Sequence, residues 1–352
     1  MTLFHAARVT VTGSSCPWIQ EREVLPISPE PAMISPLNER ERLRHKRQNR
    51  IQSLLLIGGM AALLAACGWI VAGGEGVAWA LFAGSISLLF TPYVSPWLTL
   101  RMYGAVPIRP HEMPALFQAL ALISDRAGLP QPPALFYVPS RMMTAFATGA
   151  QGEAAIAVTD GLLRHLTLRE LAGVLAHEVS HIRNNDLGIM TLADVINRVT
   201  AAMSLAGVIL LLASLPVLLV EGNAVLWLLV ILLVFAPTLA SLLQLALSRT
   251  REYDADLDAA GLTGDPLGLA SALAKLERYE GGLLETLFLP GRRIPHPSLL
   301  RTHPDTRKRI GRLLALRVGP TEQELYPGPV ILPSRLGPPH RRPHWRPTGL
   351  WY

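Results

Sequence analysis

The 352-residue chain has only two cysteines, Cys16 and Cys67, too few to build a disulfide framework. Cys67 falls inside an apolar run and Cys16 in a polar arm, so both read as incidental thiols of a reducing compartment. Charge is scarce as well. Only 16% of residues are charged while 50% are hydrophobic, a balance greasier than that of a typical soluble domain. In four runs charge is missing altogether: residues 51–72, 77–100, 201–220 and 225–247. A helix needs roughly 20 apolar residues to cross the hydrocarbon core, and each run has that length. Four such runs are hard to place inside a soluble core, so the expectation is membrane insertion.

The runs come in pairs joined by the short links "GGEG" (73–76) and "EGNA" (221–224), which predicts two transmembrane hairpins. Basic residues are absent from both links and from every span. They lie on the other side, including the dense "RERLRHKRQNR" (40–50) just ahead of the first run. Positive loops stay cytoplasmic, so both termini and the segment between the hairpins are expected there. Trp79, Trp97 and Trp227 fall near span ends, as interface anchors do. Orientation and attraction to anionic lipid account for the net charge of +6, which requires no nucleic-acid partner. A first run starting at residue 51 is too deep for an ordinary cleaved signal peptide and reads as a retained anchor.

Around the hairpins the chain divides into six parts. Residues 1–50 read as a disordered basic arm, 51–100 as the first hairpin and 101–199 as the first half of a soluble domain. Residues 200–247 read as the second hairpin, 248–318 as the second half of that domain and 319–352 as a Pro/Arg-rich tail suited to disorder or peripheral contacts. "ALFYVPS" (134–140), "MMTAFATG" (142–149) and "EAAIAVTDG" (153–161) predict short strands of a small antiparallel sheet. "TLRE" (167–170) is a capping box that starts a helix. "SRTREYDADLDAAG" (248–261) reads as a helical segment stopped by Gly261, and "PLGLASALAKLERY" (266–279) as an amphipathic helix.

The capped helix carries "LAGVLAHEVSHIRNND" (171–186). Residues four apart lie on one helix face, so His177 and His181 can present ring nitrogens to one ion. A catalytic zinc takes three protein ligands and leaves one position open. Glu178 stands beside that open position, where it can take a proton from attacking water and deliver it to a leaving amine. The rival reading is a cytoplasmic helix with solvated polar residues, but the sequence on both sides of the three is apolar. The longer zinc pattern, with Gly and a third His downstream, is absent because Asn184 and Leu187 stand there. "EYDAD" (252–256) is the best source of a third ligand. Glu252 and Asp256 share a face, so one can bind zinc while the other supports a histidine. A solvated charged helix remains the rival for these acids. A hairpin leaves the membrane on the side it entered, which brings residue 252 to the surface that carries residue 181.

These residues carry a resemblance to the HtpX-type membrane zinc metallopeptidases, relatives of the CAAX prenyl endopeptidases. It rests on "AFATG" followed by "IAVTDGLL", on "HEVSHIRNND" with Asp186 closing a His-Glu-x-x-His-x-x-x-x-Asp pattern, on "EYDAD" and on "THPDTRKRI" (302–310). The resemblance implies His177, His181 and Glu252 as ligands of one Zn(2+), Glu178 as general base and Asp256 as a supporting residue. It implies an edge strand, at Thr144, Ala145 and Phe146, to which an extended substrate adds; a plain sheet strand is the alternative. Thr144 stands where such enzymes usually have Asn, which places any substrate contact of that amide in doubt. His303 would stabilise the oxyanion, or else merely turn the chain.

The expected fold class is an α+β membrane protein: a mostly helical zincin-like catalytic domain with a small antiparallel sheet, plus four transmembrane helices in two hairpins. The expected function is a zinc metalloendopeptidase (HExxH, gluzincin-like) that cuts membrane or misfolded polypeptides at the cytoplasmic face of a bacterial inner membrane. Its partners are those polypeptide substrates and the lipid bilayer. A CAAX-type processing peptidase and a non-proteolytic zinc-binding scaffold are the rivals.

Overall fold

The computed structural model describes residues 38–90, 96–149, 152–213, 224–281 and 306–316. The expected roles of His303, of most of the basic arm and of the tail fall outside these residues. In chain order the elements are α1 (Glu39–Phe90), α2 (Pro96–Met102), β1 (Val106–Pro107), α3 (Pro114–Ala127), β2 (Ala134–Val138), β3 (Ala145–Thr148), β4 (Ala155–Thr159) and α4 (Asp160–His165). There follow α5 (Leu168–Arg183), α6 (Asp186–Ala213), α7 (Ala224–Thr263), α8 (Pro266–Gly281) and α9 (Thr306–Ala315).

Among the described residues, three helical stretches are long and apolar enough to cross a membrane: Glu39–Ser87, Asp186–Ala213 and Trp227–Thr263. The first is not straight. Ala72 and Gly73 leave helical geometry, Gly73 with φ +57°. Residues eight apart in a straight helix lie about 12 Å from each other. Here a Cβ added to Gly76 would strike the carbonyl of Gly68, so the chain doubles back at the predicted link. Only glycine permits backbones to meet that closely. The returning limb packs Ala80 beside Met60 and Leu64, together with Val195, Val199 and Leu247 of the other two long helices. Leu54, Trp69, Phe82, Leu205, Ile209 and Phe235 face outward, as lipid-facing side chains would.

Pro237 lies inside α7 and cannot donate to the carbonyl four residues before it, that of Leu233. Ser204 of α6 supplies the missing donor, its hydroxyl bonding to the Leu233 oxygen. We therefore expect Ser204→Ala to lower bundle stability by about 1 kcal/mol, measured by reversible unfolding in bicelles. An unchanged stability would mean that the carbonyl finds another donor.

Two expected boundaries need correction. The 1–50 arm is too long, because helix α1 already begins at Glu39 and carries the basic stretch 40–50. Nor does Gly261 stop the helix after the second hairpin. Membrane run and acidic segment form one continuous α7, which ends at Thr263 before Gly264 at φ +70°.

The sheet is mixed, not antiparallel. Its order is β1-β2-β4-β3, with β2 and β4 parallel and the other two pairs antiparallel. A simple meander would leave β4 at an edge. All five β4 residues are buried, so burial places that strand between two neighbours and sends β3 to the edge. The main soluble core joins Leu135, Ile156 and Val158 of the sheet to Leu171, Leu175 and Val179 of α5, to Leu257 of α7 and to Leu269 of α8. Fully burying one such leucine stabilises by about 2 kcal/mol, which fixes α5 against α7 as a rigid pair.

Candidate metal centre

Helix α5 starts with the expected capping box. Thr167 accepts from the Glu170 amide while the Glu170 side chain accepts from the Thr167 amide at 2.8 Å. Its apolar face enters the core, and the opposite face, with His177 and His181, turns toward α7. There His177 Nε2 lies 3.1 Å from His181 Nε2. Glu252 of α7 closes the group, its two carboxylate oxygens each 3.6 Å from one of those nitrogens. His177, Glu252 and Glu178 are buried, and His181 is half-buried.

The other ring nitrogens are held by carboxylates. His181 Nδ1 lies 2.6 Å from Asp186 Oδ2, at the first turn of α6. His177 Nδ1 lies 3.1 Å from Asp256 Oδ1, an ion-pair distance without the alignment of a good hydrogen bond. With protons on Nδ1, both Nε2 lone pairs and a carboxylate point into one small space. Two imidazole nitrogens and a carboxylate gathered in one space suit a cation, and two imidazoles with one carboxylate suit zinc. The donor atoms lie within 4.8 Å of one another, so these residues fit the ion that the sequence pattern implies.

The surrounding charges hold this trio. Arg309 of α9 grips Asp256 through two 2.7 Å bonds and reaches Glu252 at 3.3 Å. Arg251 donates to Asp186 at 2.6 Å and to Asp254 at 3.3 Å. Sequence reasoning missed both arginines. Arg309 stands inside the "THPDTRKRI" stretch, but nothing local told it from its exposed basic neighbours. The one available signal was its i,i+4 spacing to Leu313, the other buried residue of α9.

Burial raises the Glu178 carboxyl above its ordinary range, although the neighbouring histidines oppose the shift. Its Oε1 is buried with no hydrogen-bond partner among the described residues, and the Ala147 backbone touches the same side chain. Thr159 N–H donates to Thr144 O, which sets the alternation of the β3–β4 ladder. Phe146 and Thr148 then face β4, whereas Ala145 and Ala147 present backbone groups to the outer edge. Of the three residues expected at that edge, only Ala145 has this orientation. The Thr144 amide bonds Thr159, and the Phe146 ring packs on Tyr103 at 5.0 Å. Ala147, which the sequence did not single out, shares that orientation.

Burial lowers the basicity of His177, but the carboxylates of Asp256 and Glu252 outweigh it and push the imidazole up to about 10. In the metal-free protein this ring is therefore charged through neutral pH. Its stabilisation is complete below the ordinary value of 6.5 and fades as pH climbs toward about 10. A metal must displace that proton, so affinity should rise with pH, about tenfold per unit for each proton displaced. Chelator competition at several pH values measures the slope, and a flat profile would mean that the ring is already neutral.

With this geometry described, comparison with known proteins places the chain. Peptidase family M48 matches residues 109–317. A protease HtpX homolog of Acaryochloris marina is 38% identical over 306 residues, 80% of this chain and 98% of its own length. One from Desulfatibacillum aliphaticivorans is 34% identical, covering 76% of this chain and 90% of its own. One from Pyrococcus furiosus is 36% identical, covering 76% and 97%. Among solved structures, Ste24p of S. mikatae gives a TM-score of 0.44 at 18% identity, covering 77% of this chain and 67% of that one.

Proposed function

Because the chain belongs to peptidase family M48, as a membrane metalloprotease, we propose that it is a zinc-dependent endopeptidase working on polypeptides at the cytoplasmic face. The observation that carries this reading is the convergence of His177, His181 and the Glu252 carboxylate, whose ligand atoms lie within 4.8 Å of one another. These three residues would hold the ion. When bound, zinc supplies a Lewis acid that polarises the scissile carbonyl and makes water more acidic.

The chain's own groups do the rest. Asp186 and Asp256 keep the histidine protons on Nδ1, which leaves both Nε2 atoms free to ligate. Glu178, with its buried and unpaired Oε1, takes a proton from the attacking water and hands it to the leaving amine nitrogen. Its raised basicity suits it to both steps near neutral pH. The outward backbone groups of Ala145 and Ala147 receive an extended segment of substrate as an added strand. That mode of binding reads backbone rather than sequence, in keeping with misfolded or membrane proteins as substrates.

Counting the two limbs of α1 separately, the chain crosses the bilayer four times. The basic start of α1 supports a cytoplasmic site and an inner-membrane location. The test is metal content and proteolysis of purified protein in lipid. The wild type should hold about one zinc per chain and cut an unfolded membrane protein, and His177→Ala should lose both. Wild-type protein that holds zinc and cuts nothing would indicate a scaffold, and cleavage of prenylated peptides alone would indicate a processing enzyme.

A further inference from the structure

Asp258 lies on α7 one and a half turns beyond Glu252, and its side chain is completely inaccessible. It accepts from Ser180 Oγ at 3.3 Å and from Asn184 Nδ2 at 3.0 Å. These two residues flank His181 on the last turn of α5. Asp258 thus clamps the turn that carries His181 onto the helix that carries Glu252. A buried carboxylate needs more than two neutral donors, because desolvation penalises its charge. The countercharge comes from far away in sequence. Lys46 Nζ lies 2.5 Å from Asp258 Oδ1, and Arg42 Nη1 lies 3.9 Å from it.

Both cations belong to the first turns of α1, before the membrane run. The Arg42 guanidinium packs over Gly261 of α7, in the space a Cβ would occupy. The Asn38 amide also bonds the Leu316 carbonyl at 3.2 Å, just past α9, the helix that delivers Arg309. Arg40, Arg44, Arg47 and Arg50 lie on the opposite, exposed side of the same turns.

We propose that the segment 38–46 is a working part of the metal centre: Lys46 is a positioning residue that balances Asp258 and so holds His181 in register with Glu252. The zinc ligands are then set by three chain segments, one of them the extension that leads into the first membrane helix. This inference rests on the metal reading above and adds to it.

The experiment measures zinc retention against a chelator, and thermal unfolding of the zinc-free protein, on full-length chain in lipid. Lys46→Met should weaken zinc retention about tenfold, as loss of a residue behind a ligand does. The paired variant Lys46→Met/Asp258→Asn should recover most of that loss, since Asn needs no countercharge and still bonds Ser180 and Asn184. Lys46→Arg should stay near wild type and serves if Lys46→Met fails to fold. Zinc retention unchanged in Lys46→Met, or a paired variant no better than the single one, overturns the proposal and leaves the metal reading intact. Wild-type protein that binds no zinc overturns the metal reading itself.

Discussion

Glu178→Gln protein should keep about one zinc per chain and cleave an unfolded membrane substrate about 10²–10⁴-fold more slowly than wild type. Gln has nearly the same shape, so the buried space beside the histidines stays filled, but its amide cannot accept the proton from attacking water. Folding should not suffer. The native carboxyl is disfavoured by burial and has an oxygen without a hydrogen-bond partner, so an uncharged side chain removes a desolvation cost. Two measurements, metal content and initial cleavage rate, separate the outcomes. Full activity would remove Glu178 from proton transfer, and loss of zinc would mean that it is a ligand instead.

Glu252→Ala should weaken zinc binding by at least about a hundredfold. The substitution removes a carboxylate that spans both imidazole Nε2 atoms. It also takes one of the carboxylates away from the Arg309 guanidinium, 3.3 Å from the lost oxygen. A buried cation that has lost a neighbouring carboxylate opposes a second cation beside it more strongly. Asp254→Ala is the informative comparison. Its carboxylate is directed to Arg251 at 3.3 Å, and Arg251 in turn holds Asp186 behind His181. Asp254 is therefore three contacts from the ligand His181, and its loss should cost no more than about tenfold in zinc retention. Equal retention in Glu252→Ala and Asp254→Ala, measured by chelator competition, would take Glu252 out of the site.

Much of this centre was legible in the linear pattern. The i,i+4 histidines, the capping box that phases their helix and the i,i+4 acids of "EYDAD" are local periodicities, and local periodicity sets which side chains share a face. The long apolar helices were legible for the same reason, since length and the absence of charge define a crossing, while the second link, at residues 221–224, falls largely outside the described residues. The link at residues 73–76 turned out to be a reversal so tight that Gly68 and Gly76 abut. The strands were recognisable too, yet their order was not. Alternating polarity marks a strand without naming its neighbour, and the full burial of β4 drew it to the centre of a mixed sheet.

Sequence alone determined that this chain is a membrane protein carrying a His-Glu-x-x-His helix, because each of these is written in composition or spacing over fewer than thirty residues. Only the tertiary structure decided that Arg309 turns inward while its basic neighbours do not, that Arg251 stands behind Asp186, and that Lys46 meets Asp258 across 212 residues. A lone charge in a polar stretch has the same local signature whether it meets water or a buried carboxylate. Its partner lies on another helix, and packing brings the two together.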